Sequence, residues 1–286
     1  MAEISAAAVM KLRKMSGQGM MDCKKALGET DGDLDKAMEL LRKKGLATLE
    51  KRAGRETSEG RIIKAVSDDG KTLAMAALCC ETDFVAKSED FIAAADQLGA
   101  YALAASEDSG ADVLMNASID GRTFSEIITE AVSKTGEKTE VGEYYRITLN
   151  TPGVIGSYIH FNNKIGAMVL IEADSDATAD AVRQIADEVA MHVTAMKPAA
   201  TDKDSIDPAV IQKERDIAAE QMQGKPANII EKIVDGKINK FLQDNCLVYQ
   251  TFVKDDSKTV EEAVSAAAKA AGGQAKIKRF VRIEIG

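Results

Sequence analysis

The feature that most constrains this chain is a pattern written twice. Residues 61–67 and 72–79 read as strands, and Asp68-Asp69-Gly70 between them is a hairpin signal. Residues 154–161 and 164–171 read the same way, joined by Asn162-Asn163. Each pair runs into an acidic turn and then a helix. The turns are Glu81-Thr82-Asp83-Phe84 in the first copy and Glu172-Ala173-Asp174-Ser175 in the second. The first helix carries Phe91, Ala95 and Leu98 on one face; the second spans residues 178–196, with Pro198 marking its end. Residues 60–104 and 153–195 are thus one plan used twice, which predicts a duplicated, two-part α+β core with antiparallel sheets. A further helix starts at Thr123, where Thr123 and Glu126 make a capping box.

Ahead of the core, residues 1–50 read as three short helices. Ile4, Ala8, Leu12 and Met15 form one stripe, broken by Gly17-Gln18-Gly19. A second helix runs from about Asp22 to Glu29, and Thr30-Asp31-Gly32-Asp33 turns the chain with Asp33 as N-cap. Leu34, Ala37, Met38 and Leu41 make the third stripe, stopped by Gly45. The charged residues 51–60 read as a linker, leaving residues 61–150 and 151–286 as the two core subdomains.

Within the second subdomain, residues 207–244 differ in kind. Asp207-Pro208 is an N-cap followed by a first-turn proline. Two helical segments follow, broken by Gly224-Lys225-Pro226. Ile211, Ile217, Ala218 and Met222 line one; Ile229, Ile230, Ile233, Val234 and Phe241 line the other. This is a helical-hairpin insertion projecting from the core. The chain closes with a strand at 247–253, a helix at 259–271 and a strand at 276–285.

Composition excludes several functions. The net charge is −9, and residues 1–61 carry 13 Lys/Arg against 10 Asp/Glu, so the acid excess lies downstream. Phosphate binding needs a basic surface, which argues against nucleic acid as a specific partner. No run approaches the ~20 apolar residues that span a bilayer. The first residues lack the basic start and apolar run of a secretory leader, so a cytoplasmic location is expected. Cys23, Cys79, Cys80 and Cys246 lack the spacing of a zinc site and read as reduced thiols.

Most candidate sites resolve into structure. Asp31, Asp33 and Asp35 begin like a calcium loop, but the closing acid position holds Arg42, so a helix cap is expected. Gly70-Lys71-Thr72 lacks the upstream glycine of a phosphate loop, and no helix follows it. No nucleotide site, metal site or cofactor is therefore expected. Cys79 and Cys80 face opposite sides of a strand, without an adjacent base. His192 lies in an apolar helix stripe and reads as a core or edge residue. His160 ends a strand beside a turn, where it can reach a partner. The run Arg42, Lys43, Lys44, Lys51, Arg52 and Arg55 reads as a solvated helix end. One segment resists this treatment: Thr82-Asp83-Phe84-Val85 places an aromatic ring at an element junction, and the second copy has no phenylalanine there. Such a ring is a candidate anchor for another protein, with core packing as the alternative.

Two long motifs resemble a known family. Leu12-Arg13-Lys14-Met15-Ser16-Gly17-Gln18-Gly19-Met20-Met21-Asp22-Cys23-Lys24-Lys25-Ala26-Leu27 is similar to the N-terminal signature of the elongation factor Ts family, and Cys80-Glu81-Thr82-Asp83-Phe84-Val85-Ala86-Lys87 to its second signature. The likeness continues through Gly156-Ser157-Tyr158, Met191-His192-Val193, Gly224-Lys225-Pro226, Ser257-Lys258-Thr259-Val260 and Arg282-Ile283-Glu284. It implies a ubiquitin-associated-like N-terminal bundle and a non-enzymatic exchange factor that binds elongation factor Tu·GDP and promotes GDP release. The partnership would be a heterodimer, or a heterotetramer through pairing of two Ts chains. By the same resemblance Thr82, Asp83, Phe84 and Val85 intrude near the magnesium and phosphate site of Tu. Met20, Met21 and Lys24 contact its nucleotide domain, and His160 and Val253 match contacts to another domain or nearby. Ser16, Ala77 and Cys79 depart from the family pattern, which usually has Thr, Glu and Asn there. The chain stops soon after Ile285, where some members continue into a helix that grips Tu; that contact is expected to be absent or differently supplied. The rival readings are a ubiquitin-associated-like adaptor with other partners, and a cysteine-dependent enzyme.

Overall fold

The structure, a computed structural model, describes residues 4–221 and 227–286. Gly224-Lys225-Pro226, Met222 and the side chain of Ile229 lie outside that description. The chain forms two compact units, one of residues 1–146, 162–164 and 283–286, the other of residues 147–161 and 165–282.

The first unit begins with helices α1 (Ala6–Ser16), α2 (Met20–Glu29) and α3 (Leu34–Arg52). Ser5 caps α1, and Gly17 ends it in the left-handed region at φ 69°. The buried stripe of α1 uses Val9 and Leu12, while Met15 stays half exposed. The second helix starts two residues earlier than expected, which puts Met20 and Met21 in its first turn. Asp33 caps α3 as expected, accepting from the N–H groups of Asp35 and Lys36 at 3.1 Å. Gly45 does not stop α3. A Cβ there would lie 2.9 Å from the Thr129 carbonyl and 3.0 Å from the Ser133 Cβ, so glycine serves helix packing rather than termination.

The core of this unit follows. Strands β1 (Glu59–Val66) and β2 (Thr72–Cys80) pair antiparallel, then come α4 (Asp83–Ala86) and α5 (Glu89–Ala104). After α6 (Ala111–Met115), β3 (Ser118–Ile119) and β4 (Arg122–Thr123) make a minimal hairpin through Asp120 and Gly121, both at positive φ. Helix α7 (Phe124–Thr135) carries the expected Thr123/Glu126 capping box and ends at Gly136, φ 72°. It packs on α3 and α5. Strand β5 (Thr139–Thr148), not foreseen in the sequence, completes a sheet in the order β1-β2-β5. Central β2 is buried from Leu73 to Cys80, consistent with its near-continuous apolar sequence. Ala74, Ala76, Leu78 and Cys80 share a core with Phe91, Leu98, Phe124, Ile128 and Tyr144.

The second unit repeats the plan. Strands β6 (Gly153–Ile159) and β7 (Ile165–Ala173) pair antiparallel and lead to α8 (Asp176–Ala181) and α9 (Arg183–Met196). The expected single helix over 178–196 is split at Val182, whose backbone (φ −93°, ψ 2°) leaves helical geometry. Gly156 is required where α9 crosses β6: a Cβ there would sit 2.2 Å from the Ala186 backbone. Helices α10 (Pro208–Glu220) and α11 (Ala227–Asn245) pack on each other around Ala218, Val234 and Ile238. The expected strand at 247–253 is mostly a 3-10 turn, Leu247–Tyr249. The N–H groups of Leu247 and Val248 donate to Ala200 and Thr201 carbonyls, which leaves only β8 (Thr251–Phe252) to pair with β9 (Asp255–Thr259). Helix α12 (Val260–Ala270) and strand β10 (Ala275–Glu284) close the chain, with sheet order β10-β7-β6.

The duplication is longer than the sequence pattern suggested. Helix α12 opens with the capping box Thr259/Glu262, as α7 does with Thr123/Glu126. Gly272, at φ 76°, then matches Gly136 at φ 72°, and β10 matches β5.

Candidate functional site

Phe84 is the most unusual side chain of the first unit, because 83% of it is exposed. It stands on α4, a single turn too short to hold itself. Thr82 leaves β2 in extended geometry and caps the turn, its hydroxyl accepting from the Val85 N–H at 3.4 Å. Ala86 is buried beneath, and Val85 packs partly on the core. Asp83 and Phe84 are left facing solvent, and Asp83 pairs with Lys87 across one turn at 2.7 Å. The Lys87 hydrogen bond, then its charge, holds the Asp83 carboxyl below its ordinary range and raises Lys87 in turn. A pair this exposed is weak, so Asp83 can leave Lys87 for another partner at little cost.

Hydroxyls rather than acids cap this turn: Thr82 in the first copy and Ser175 in the second. The strand registers fix the correspondence. Gly60 pairs with Cys79 and Gly153 with Glu172, so Thr82 matches Ser175, Asp83 matches Asp176 and Phe84 matches Ala177. The counterpart of the phenylalanine is therefore an alanine, two positions beyond the serine the sequence comparison had paired with it.

Glu81 and Glu137 anchor the turn. Glu81 Oε1 accepts from Arg52 Nη1 and from the Lys138 N–H, each at 2.7 Å. Burial pushes the Glu81 carboxyl up, but the Lys138 N–H and the Arg52 guanidinium outweigh it, and the group lies below its ordinary range. Glu137 accepts from the Thr82 N–H at 3.1 Å and the Thr82 hydroxyl at 2.9 Å. No local signal marks Glu137, because its partner is 55 residues distant in the chain.

The other candidates behave as packed residues. All four cysteines are buried and free. Burial, then Glu140, pushes the Cys79 thiol up to about 11; burial, then Glu137, pushes Cys80 to about 12. Neither is a ready nucleophile. Cys80 faces the core and Cys79 lies against Gly142 of β5. His192 is fully buried; its Nδ1 accepts from the Val253 N–H at 3.3 Å and its Nε2 meets Gln250 Oε1 at 2.9 Å, and burial lowers its pKa. Among the described residues no group of His, Cys, Asp and Glu is arranged to hold a metal ion, and no helix is long and apolar enough to cross a membrane.

Residues 81–286 match the family model described as elongation factor TS, which covers more than half of the chain. The chain belongs to the elongation factor Ts family. It is 45% identical over 285 residues to "Elongation factor Ts" of a Nitratiruptor species, spanning 99% of this chain and 93% of that protein. It is 42% identical over 289 residues to the protein of the same name from Nautilia profundicola, covering 100% of this chain and 94% of that one. With its Desulfovibrio desulfuricans counterpart it shares 40% over 290 residues, covering 100% and 99%.

The positions singled out by the elongation factor Ts resemblance occupy separate elements. Met20 and Met21 open α2, 49% and 65% exposed, and Lys24 is exposed one turn on. Thr82, Asp83, Phe84 and Val85 form the α4 turn. In the second unit, His160 follows β6, with its Nδ1 3.2 Å from the Tyr158 hydroxyl and its ring 4.3 Å from that of Phe161. Val253 follows β8 and is part exposed, held by its N–H to His192. Phe161, 87% exposed, was not singled out, although an aromatic beside Asn162-Asn163 at a hairpin tip carries the same signal as Phe84.

Proposed function

We propose that this chain is a guanine-nucleotide exchange factor for elongation factor Tu: it binds Tu·GDP and promotes GDP release so that GTP can load. The reading rests on an exposed phenyl ring, Phe84, on an anchored turn beside a weakly engaged acid, Asp83, in a member of the elongation factor Ts family. Exchange needs no covalent chemistry, in keeping with thiols that burial keeps protonated. It needs only a protein that binds Tu better without GDP and magnesium than with them. Linkage then requires the bound factor to weaken nucleotide affinity by the same ratio.

In this mechanism Phe84 enters an apolar cleft of Tu, where burying the ring provides ~1.5–3 kcal/mol. Asp83 gives up Lys87 and disturbs the groups that order the magnesium. Met20, Met21 and Lys24 engage the nucleotide domain, and His160 and Val253 engage a second surface of Tu. The factor acts in the cytoplasm, as a heterodimer with Tu or as a heterotetramer through pairing of two Ts chains. The test is release of labelled GDP from cognate Tu with and without this protein. Acceleration that saturates with added protein is expected; an unchanged release rate at saturating protein overturns the reading and leaves the adaptor function.

A further inference from the structure

Every polar atom of Thr82 is engaged. Its N–H and hydroxyl donate to the two oxygens of Glu137, at 3.1 and 2.9 Å. The hydroxyl oxygen accepts from Val85 N–H at 3.4 Å. The Thr82 carbonyl accepts from the Ala86 N–H at 3.1 Å and the Cys80 thiol at 3.3 Å. The hold is reciprocal: Glu137 takes the backbone N–H of Thr82, while Glu81 takes the backbone N–H of Lys138. Two carboxylates thus cross in opposite directions between residues 81–82 and 137–138.

The second copy of the fold isolates what Glu137 adds. There Asp174 takes the Gln274 N–H at 2.8 Å, as Glu81 takes that of Lys138. The residue before Gln274 is Gly273, so glycine stands where the first copy has Glu137. A Cβ at Gly273 would fall 2.0 Å from Thr178 Oγ1. The copy whose turn carries Phe84 has the second carboxylate; the copy whose turn carries Ala177 has none at that place. Half of the clamp is therefore common to both turns, and half accompanies the ring.

We infer that Glu137 is a positioning residue for nucleotide exchange: by fixing Thr82 it sets the direction in which Phe84 stands. The inference rests on Phe84 being the anchor in Tu. An exposed ring has no packing of its own to orient it, so its direction is inherited from the turn. A four-residue turn with only a threonine cap frays, and a ring on a fraying turn meets its cleft in only a fraction of encounters.

The experiment follows labelled-GDP release from Tu by stopped flow, with the full-length protein at saturation. Four forms are compared: wild type, Glu137→Ala, Phe84→Ala and the double variant. Glu137→Ala is expected to slow release about tenfold, a cost of ~1.4 kcal/mol, and to slow the Phe84→Ala protein no further. Glu137→Gln keeps an acceptor oxygen and is expected to recover part of the rate, leaving about a threefold loss; should alanine at 137 prevent folding, the same comparison is read on glutamine. A wild-type rate for both 137 variants overturns the inference. So does an equal slowing with and without the ring, which marks general damage. If Phe84→Ala slows release and Glu137→Ala does not, only the positioning role falls; if Phe84→Ala releases GDP like wild type, the anchor reading falls as well.

Discussion

Removing the Phe84 ring tests the proposed function most directly, because the chain itself gains almost nothing from it. At 83% exposure the ring buries little area in its own fold, so Phe84→Ala should change the unfolding free energy by no more than ~0.5 kcal/mol. The same exposure leaves nearly all the apolar surface free for a partner. Burying a phenylalanine provides ~1.5–3 kcal/mol, which corresponds to a factor of about 10 to 150 in binding or in coupling. Affinity for nucleotide-free Tu by calorimetry should fall within that range, and labelled-GDP release at saturating protein should slow. Phe84→Leu, which keeps much of the apolar surface, should lie between. Two results refute the reasoning: release at the wild-type rate, or a melting point lowered by many degrees. The second would place the ring in the protein's own interior.

Other outcomes follow from packing and ionisation. Gly45→Ala should destabilise by about 1–3 kcal/mol, because its Cβ meets the Thr129 carbonyl at 2.9 Å, measured by urea unfolding. Gly236→Ala, in α11 with nothing within 4 Å, should instead stabilise by about 1 kcal/mol. His192 is held below its ordinary value of 6.5 by burial, so the unfolded chain binds the proton more readily than the folded one. Stability should therefore be full above about pH 6.5 and fall as pH drops toward the folded value; a folded imidazole that titrates above 6.5 contradicts this. Burial keeps Cys79, Cys80 and Cys246 at about 11, 12 and 11, so thiol reagents should label the native protein slowly and leave exchange intact. Rapid loss of exchange on alkylation would revive the cysteine-dependent reading.

What the sequence made legible was what local chemistry decides. The hairpins, the Asp33 cap, the Asp207-Pro208 start and the Thr123/Glu126 capping box depend on neighbours within a few residues, and the structure shows each of them. What failed depended on distant partners. Gly45 looks like a stop, yet its role is set by Thr129 and Ser133. Residues 247–253 have the composition of a strand, but their backbone bonds go to Ala200 and Thr201. β5, with Glu140, Gly142, Glu143 and Arg146 among its residues, alternates too weakly to announce itself beside apolar β2. At the candidate site the ring and its acid were visible as residue types out of place, whereas Glu137 is defined only by the fold that brings it to Thr82.

The two copies of the core act as a control on each other. Both leave a central strand, cap a short helix with a hydroxyl, place an acid at its first position, and tie the preceding acid to a backbone N–H. The backbone of this turn is therefore made twice from the same parts, and once it is made with alanine where the other has phenylalanine. A fold that builds the turn with Ala177 has no need of a ring at Phe84. The surplus in the first copy amounts to a phenyl group and the carboxylate that reaches Thr82 from Glu137. The second copy makes its turn with neither of these, which is the pattern expected if both serve the proposed contact with Tu.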